Sequence, residues 1–286
     1  MNETIATRPR CRVRGTETIR VAVGFFGMIR NISHTIGSIR ANLLLPVGAS
    51  AAGAVDVFMH TLAKDSNRNV RLDALRDAER LGPCRLVVER QELVDAAESV
   101  LAKAQSSRED TLASHAELRS RGEFPLPTRY PIPVLMNWIR SRYSLFRLAS
   151  LVRAYEDGRG FRYTHVVSAR PDTSFLTLLS VPFEEEQGVL HIPNAHHNSG
   201  INDRFALGNR GAMLTYMRQY ESLASKLGFT RDVRSTEASL CRHVVRSNLS
   251  VRLLPLCVVR TRESGQAAKR DLHSVPHAPY ESVAKG

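Results

Sequence analysis

The chain has 286 residues, 43% of them hydrophobic and 24% charged, ordinary proportions for a soluble globular protein of one large domain or two small ones. No apolar run reaches the roughly 18 residues that a membrane-spanning helix needs. A formal charge of +12 asks for an anionic partner or a solvated basic surface, while 6% aromatics and the lack of a zinc-finger or RNA-recognition signature argue against nucleic acid.

Residues 1–18 read as a flexible basic arm. Arg8, Arg10, Arg12 and Arg14 alternate, so an extended arm puts them on one side; the arm reads as a disordered, solvated tail, or else as one in peripheral contact with an anionic membrane or polymer. Residues 1–8 hold no apolar core of signal-peptide length, so the expected location is cytoplasmic, with membrane association only peripheral. The cysteines, Cys11, Cys84, Cys241 and Cys257, lack Cys-x-x-Cys spacing and read as reduced thiols, with Cys84 and Cys257 in the core.

Residues 19–26 are short, apolar and β-branched, as suits a central parallel strand. Gly27-Met28-Ile29-Arg30 follows, and residues 31–35 offer caps for a helix over about 35–45, closed by Pro46. A strand–Gly–helix start resembles a nucleotide-binding turn whose free backbone N–H groups face phosphate. The Gly-Lys-Ser/Thr of a P-loop and the later glycines of a dinucleotide fingerprint are absent. Residues 55–61 and 84–89 read as two more strands, with a short helix near 70–80 between them, and this alternation argues for a parallel sheet.

Residues 91–104 are helical by period. Polarity then rises, and Pro125, Pro127, Pro131 and Pro133 mark either a mobile cover of the cleft or a surface insertion. The clearest helix is 134–155, with Leu135, Trp138, Ile139, Leu145, Phe146, Ala149 and Val152 at three- and four-residue spacing, ended by Gly158 and Gly160. It leads into residues 163–172, a strand that should stop at about Arg170 because Pro171 has no N–H for a ladder. Arg170 and Asp172 thereby stand just past a strand's C-terminal end, where open α/β sheets bind ligands.

Further strands are expected at 189–193, 205–208 and 251–259. Asn209 caps a helix over 211–227, and Ser235 caps another over 236–246. From Thr261 the chain reads as a loosely ordered tail. His191, His196 and His197 lack the spacing of a helical metal pair and read as part of a solvated loop.

Four stretches carry a family resemblance. They are Gly27-Met28-Ile29-Arg30, Asp56-Val57-Phe58-Met59-His60-Thr61, Ser168-Ala169-Arg170-Pro171-Asp172 and Asn202-Asp203-Arg204-Phe205-Ala206-Leu207-Gly208. In this order and spacing, over about residues 19–260, they resemble glycosyltransferases of the GT-A-like nucleotide-diphospho-sugar transferase superfamily. The resemblance implies an α/β, GT-A-like (Rossmann-like) fold with a mostly parallel central sheet and helices on both faces. It implies one domain over 19–260, with a nucleotide half at 19–172 and an acceptor half at 173–260, followed by a tail at 261–286.

The implied activity is transfer of a sugar from a nucleotide-sugar donor to a hydroxyl of a glycan or lipid-linked glycan acceptor, as in polysaccharide biosynthesis. Arg30, His60, Arg170, Asp172 and Asn202 would face the donor, and Asp203 the sugar. In the superfamily, a short acidic motif after a central strand holds a divalent metal on the donor diphosphate. Arg170-Pro171-Asp172 stands where Asp-x-Asp is expected. Either Asp172 still holds Mn²⁺ or Mg²⁺, or Arg170 neutralises the diphosphate itself, or the two simply pair and lock the turn. Glu237, in the first turn of the 236–246 helix, is the candidate general base if the enzyme inverts. The rival readings are a non-catalytic nucleotide- or glycan-binding member of the fold and, more remotely, a basic nucleic-acid- or membrane-surface-binding protein.

Overall fold

The computed structural model describes residues 18–29, 32–52, 54–63, 75–97, 132–181, 183, 186–198, 200–224 and 236–272. β1 (Val21–Phe26) is buried at every position, as its apolar run demands. It pairs in parallel with β2 (Val55–Ala63) on one side and β4 (His165–Ala169) on the other, and β2 pairs in parallel with β3 (Arg85–Arg90). Beyond β4, the strand β7 (Phe205–Asn209) runs antiparallel to both β4 and β6 (Val189–Pro193), and β6 pairs in parallel with β8 (Ser250–Leu254). The seven-stranded order is β3-β2-β1-β4-β7-β6-β8, mostly parallel because β7 alone is reversed. A two-stranded sheet joins β5 (Thr173–Phe175) to β9 (Val258–Arg260).

Strand alternation sends successive side chains to two cores. Val21, Val23, Phe25 and Met59 pack on Ile36, Ile39, Leu43 and Val47 of α1, a helix made of Ile36–Ile39, a π-helical turn Arg40–Leu44, and Leu45–Ser50. Ala22, Phe26, Phe58 and Val166 pack instead on Leu145, Leu148 and Val152 of α3 (Ile132–Arg159) and on Met213 and Tyr216 of α4 (Arg210–Met217). The expected class, an α/β fold with a mostly parallel central sheet and helices on both faces, is the one observed. The fold also includes α2 (Gln91–Ala97), α5 (Gln219–Ala224), α6 (Thr236–Arg246) and α7 (Lys269–Leu272).

Several boundaries differ from expectation, each for a physical reason. Pro46 does not close α1. Its missing N–H would leave the Asn42 carbonyl unpaired, and the Leu179 N–H fills that place at 2.8 Å. The stretch expected as one strand over 251–259 divides at Pro255, its two parts joining different sheets. The helix after Asn209 breaks at Arg218, although Asn209 caps it as expected, its side chain accepting from the Ala212 N–H at 2.8 Å. α3 runs through Gly158 and ends at Gly160, whose φ is +69°. Cys84 is exposed and not in the core.

The expectation of a loose tail from Thr261 fails for residues 261–272. Thr261 bridges to Ala267, and α7 buries Asp271. The arm, most of the 105–133 stretch and residues 273–286 lie outside the described residues.

Candidate active site

The parallel strands β1, β2 and β4 end at one edge of the sheet, and the reversed β7 begins there. Ligand crevices of open α/β sheets form at such an edge. The register opposes Ala169 to Phe205, and the Arg170 N–H continues the ladder to the Arg204 carbonyl at 2.9 Å. Arg170-Pro171-Asp172 and Asn202-Asp203-Arg204 are therefore neighbours.

β4 stops at Ala169, where Pro171 ends the ladder. The turn that follows is tied down. The Thr35 hydroxyl donates to the Pro171 carbonyl at 2.7 Å, and the Asp172 carbonyl accepts from the Thr261 N–H at 2.8 Å. Thr35 thus spends its hydroxyl on this turn and not on capping α1. Arg170 forks onto Asp172, with Nε to Oδ1 at 2.9 Å and Nη2 to Oδ2 at 2.7 Å. Burial opposes the Arg170 charge, but Asp172, with Asp203 and Asp271 farther off, outweighs it and raises the guanidinium pKa.

That fork decides how well Asp172 suits a metal. A divalent cation needs several open oxygen ligands. Asp172 is one carboxylate, its side chain 4% exposed, with both oxygens already held by Arg170. Among the described residues no cluster of three or more His, Cys, Asp or Glu is arranged to hold an ion. This donor set does not fit Mn²⁺ or Mg²⁺.

Asp203 is 9% exposed and meets a residue that the motifs did not include. Arg142, on α3 and fully buried, donates from Nη2 to Asp203 Oδ2 at 2.7 Å. Sequence spacing does carry a signal for it. Arg142 lies four residues after Trp138 and three before Leu145, a cation on the apolar stripe of the helix. Arg204, next to Asp203 in the chain, forks onto Asp271, at 2.8 and 3.1 Å, and Arg260 donates to the same carboxylate from its main chain and side chain. Burial would raise the Asp271 pKa, but the hydrogen bonds from Arg260 and the charge of Arg204 hold it down at about 2. Around this edge, arginines 142, 170, 204 and 260 face aspartates 172, 203 and 271, one positive charge in excess among these residues.

Asn202 is fully buried and braces the loop. Its Oδ1 accepts from the Arg204 N–H and its Nδ2 donates to the Ala195 carbonyl, both at 2.8 Å. Glu237 opens α6 as expected, and its carboxylate accepts from Asn198 at 2.7 Å and from Thr236 at 2.8 Å. The start of α6 lies directly on the site loop. A Cβ on Gly200 would stand 2.0 Å from the Glu237 carbonyl carbon, so only glycine permits the contact. His196 is buried and bonded to the Val258 carbonyl at 3.0 Å, so it does not belong to a solvated loop.

The turn after β1 is organised differently from the expected phosphate cradle. Gly27, at φ +97°, donates its N–H to Ser144 Oγ at 2.8 Å. The Ser144 hydroxyl donates to the His60 carbonyl and meets His60 Nδ1, both at 2.9 Å. His60 Nε2 stands 3.5 Å from Glu89, which is also held by Tyr143 and Arg147. Burial drives the His60 pKa down to about 4, against the pull of Glu89. His60 therefore sits in a closed cluster beneath the end of β1. Arg30 lies outside the described residues.

No protein-family model matches the chain. No curated protein matches it. Among solved structures, that of mouse xyloside xylosyltransferase 1 in its apo form aligns over 82% of this chain and 84% of its own, at 13% identity and a TM-score of 0.39.

Proposed function

We propose that the protein transfers a glycosyl unit from a nucleotide-sugar donor to a hydroxyl of a glycan or lipid-linked glycan acceptor. The observation that carries this reading is the meeting of Arg170-Pro171-Asp172 and Asn202-Asp203-Arg204 at the C-terminal edge of a mostly parallel sheet, where arginines 142, 170, 204 and 260 outnumber aspartates 172, 203 and 271 by one. A departing nucleoside diphosphate needs its growing negative charge compensated. Arg170 supplies that charge at every physiological pH, and Arg30, which lies outside the described residues, is the second candidate. The fork to Asp172 uses Nε and Nη2 and leaves Nη1 outside it.

In the proposed step the acceptor oxygen forms a bond to the anomeric carbon, and the bond from that carbon to the phosphate oxygen breaks with its electrons leaving on the diphosphate. The acceptor proton passes to Glu237 if configuration inverts. Asp203, with Oδ2 engaged by Arg142, has Oδ1 to accept a hydrogen bond from a sugar hydroxyl. No part of this step needs the metal that Asp172 is ill placed to hold.

The decisive experiment is titration of the full chain with a panel of nucleotide sugars, followed by assay of donor hydrolysis and transfer. Saturable binding of one donor, weakened at least tenfold in Arg170→Gln, is the expected result. A folded protein that binds none of them ends the proposal. The engagement of Asp172 by Arg170 also suits a second reading, a non-catalytic nucleotide- or glycan-binding member of the fold. Donor binding with no turnover toward any acceptor would favour it.

A further inference from the structure

The edge of the sheet opposite the candidate site carries three exposed arginines on one aromatic platform. Arg20 immediately precedes β1, Arg85 opens β3 and Arg159 closes α3. The Arg20 guanidinium lies 4.7 Å from the centroid of Phe161, and those of Arg85 and Arg159 lie 5.9 and 5.4 Å from that of Tyr155. The two rings are 6.2 Å apart and brace each other edge to face, so the three cations form one patch. Phe58 and Tyr163 complete the platform from below.

Among the described residues none of the three arginines has a carboxylate partner, because the acids nearby are engaged elsewhere. Asp56 accepts from Tyr163 at 2.6 Å and Cys84 at 3.1 Å, Glu156 pairs with Arg210 at 2.7 Å, and Asp157 pairs with Arg162 at 2.7 Å. A guanidinium held over a ring loses little further freedom on binding and keeps N–H donors for oxygen anions. The chain enters β1 at this same edge, so the sequence carrying Arg8, Arg10, Arg12 and Arg14 is tethered there.

We propose that this patch is a docking surface for the phosphates of an anionic lipid bilayer. Lipid suits it better than nucleic acid, because the aromatic faces that would stack on bases are already covered by arginine. Juxtaposed arginines gain about fivefold each in partition onto an anionic surface, and the gain is lost at high salt. The inference does not depend on the sugar-transfer reading.

Co-sedimentation of the full chain with vesicles of phosphatidylcholine, with and without phosphatidylglycerol, tests it. The unmodified protein is expected to partition onto the anionic vesicles only. The triple substitution Arg20→Gln, Arg85→Gln and Arg159→Gln is expected to cut that partition roughly a hundredfold, with an unchanged circular dichroism spectrum. An equal loss of charge at Arg90, Arg262 and Arg270 is expected to cut it less than about fivefold. The proposal falls if the unmodified protein ignores anionic vesicles, or if the two triples lose equally. It also falls if removing Arg8, Arg10, Arg12 and Arg14 abolishes binding while the patch triple leaves it intact. Patch-dependent retention of a duplex oligonucleotide, with no vesicle binding, assigns the surface to nucleic acid and overturns it as well.

Discussion

Arg142 donates from Nη2 to Asp203 Oδ2 at 2.7 Å from a position with no exposed surface. A buried cation is tolerated because that carboxylate faces it, so each member of the pair fixes the other. Arg142→Met should leave Asp203 without its counter-charge and cost roughly 3–5 kcal/mol, whereas Arg142→Met with Asp203→Leu should recover most of the loss. Urea unfolding of the two single variants and the double variant measures the coupling. Additive losses would show that the pair does not act as a unit.

The fork from Arg170 onto Asp172 leads to a prediction about metals. If arginine compensates the diphosphate, donor turnover should change less than about twofold on treatment with a chelator or on addition of Mn²⁺. Arg170→Gln should weaken donor binding about tenfold to a hundredfold, the range for losing hydrogen bonds to a charged group. Asp172→Asn should loosen the fork and affect donor affinity less than Arg170→Gln. Turnover that requires Mn²⁺ and disappears in Asp172→Asn would restore the metal reading.

How much was legible in the sequence follows from what is local. The strands expected at 189–193 and 205–208, and a stop at about Arg170, were readable to within one residue because apolar runs and Pro171 act through the residues that carry them. Pro46 misled, since the group that completes its helix is the Leu179 N–H, 133 positions away. Asp271 had no local signal either. It sits among basic residues in a polar stretch, and its burial comes from Arg204 and Arg260 on other elements. At the site, Arg170 and Asp172 stood out because they follow the end of a strand, a local signal. Arg142 was visible only as a charge on an apolar helix face, and Ser144 was not visible at all, because its partners Gly27 and His60 belong to other elements.

His60 makes stability depend on pH in the mildly acidic range. Burial lowers its pKa from 6.5 to about 4 in the fold, despite Glu89 of β3 drawing it up, while Arg147 of α3 adds to the lowering. The unfolded chain takes up a proton below about pH 6.5 that the folded chain refuses. The associated stability is therefore complete above that pH and drains as pH falls toward 4, by up to roughly 3 kcal/mol. Urea midpoints at pH 7 and pH 5 should diverge in the unmodified protein and converge in His60→Gln. An equal divergence in both would assign the effect to other groups.

Asp271 acts at lower pH and with the same sign. Its pKa is held at about 2 against an ordinary 3.8, mainly by hydrogen bonds from Arg260 and the charge of Arg204. Its contribution is present above pH 3.8 and is lost as pH falls through 2, about 2 kcal/mol in all. Asp271→Asn should abolish that acid limb. At neutral pH it should also cost about 3 kcal/mol or more, because two guanidiniums then share a site without a carboxylate. Thermal melts from pH 2 to pH 7 check both limbs.

Glu237 is the group whose removal should separate chemistry from binding. Its carboxylate rests on Asn198 and Thr236 at the start of α6, and Gly200 lets that helix end press on the loop that carries Asp203. A general base contributes about a hundredfold to ten-thousandfold to turnover and little to donor affinity. Glu237→Gln keeps the size and the hydrogen-bonding oxygen but cannot take a proton at neutral pH. Its kcat should fall at least a hundredfold while the donor KM stays within about threefold. Asn198→Ala, which leaves the carboxylate in place but releases one of its supports, should produce a smaller fall in kcat. If Glu237→Gln instead raises KM and spares kcat, the residue holds the loop and the base must be sought elsewhere on the same edge, with Asp203 the first candidate.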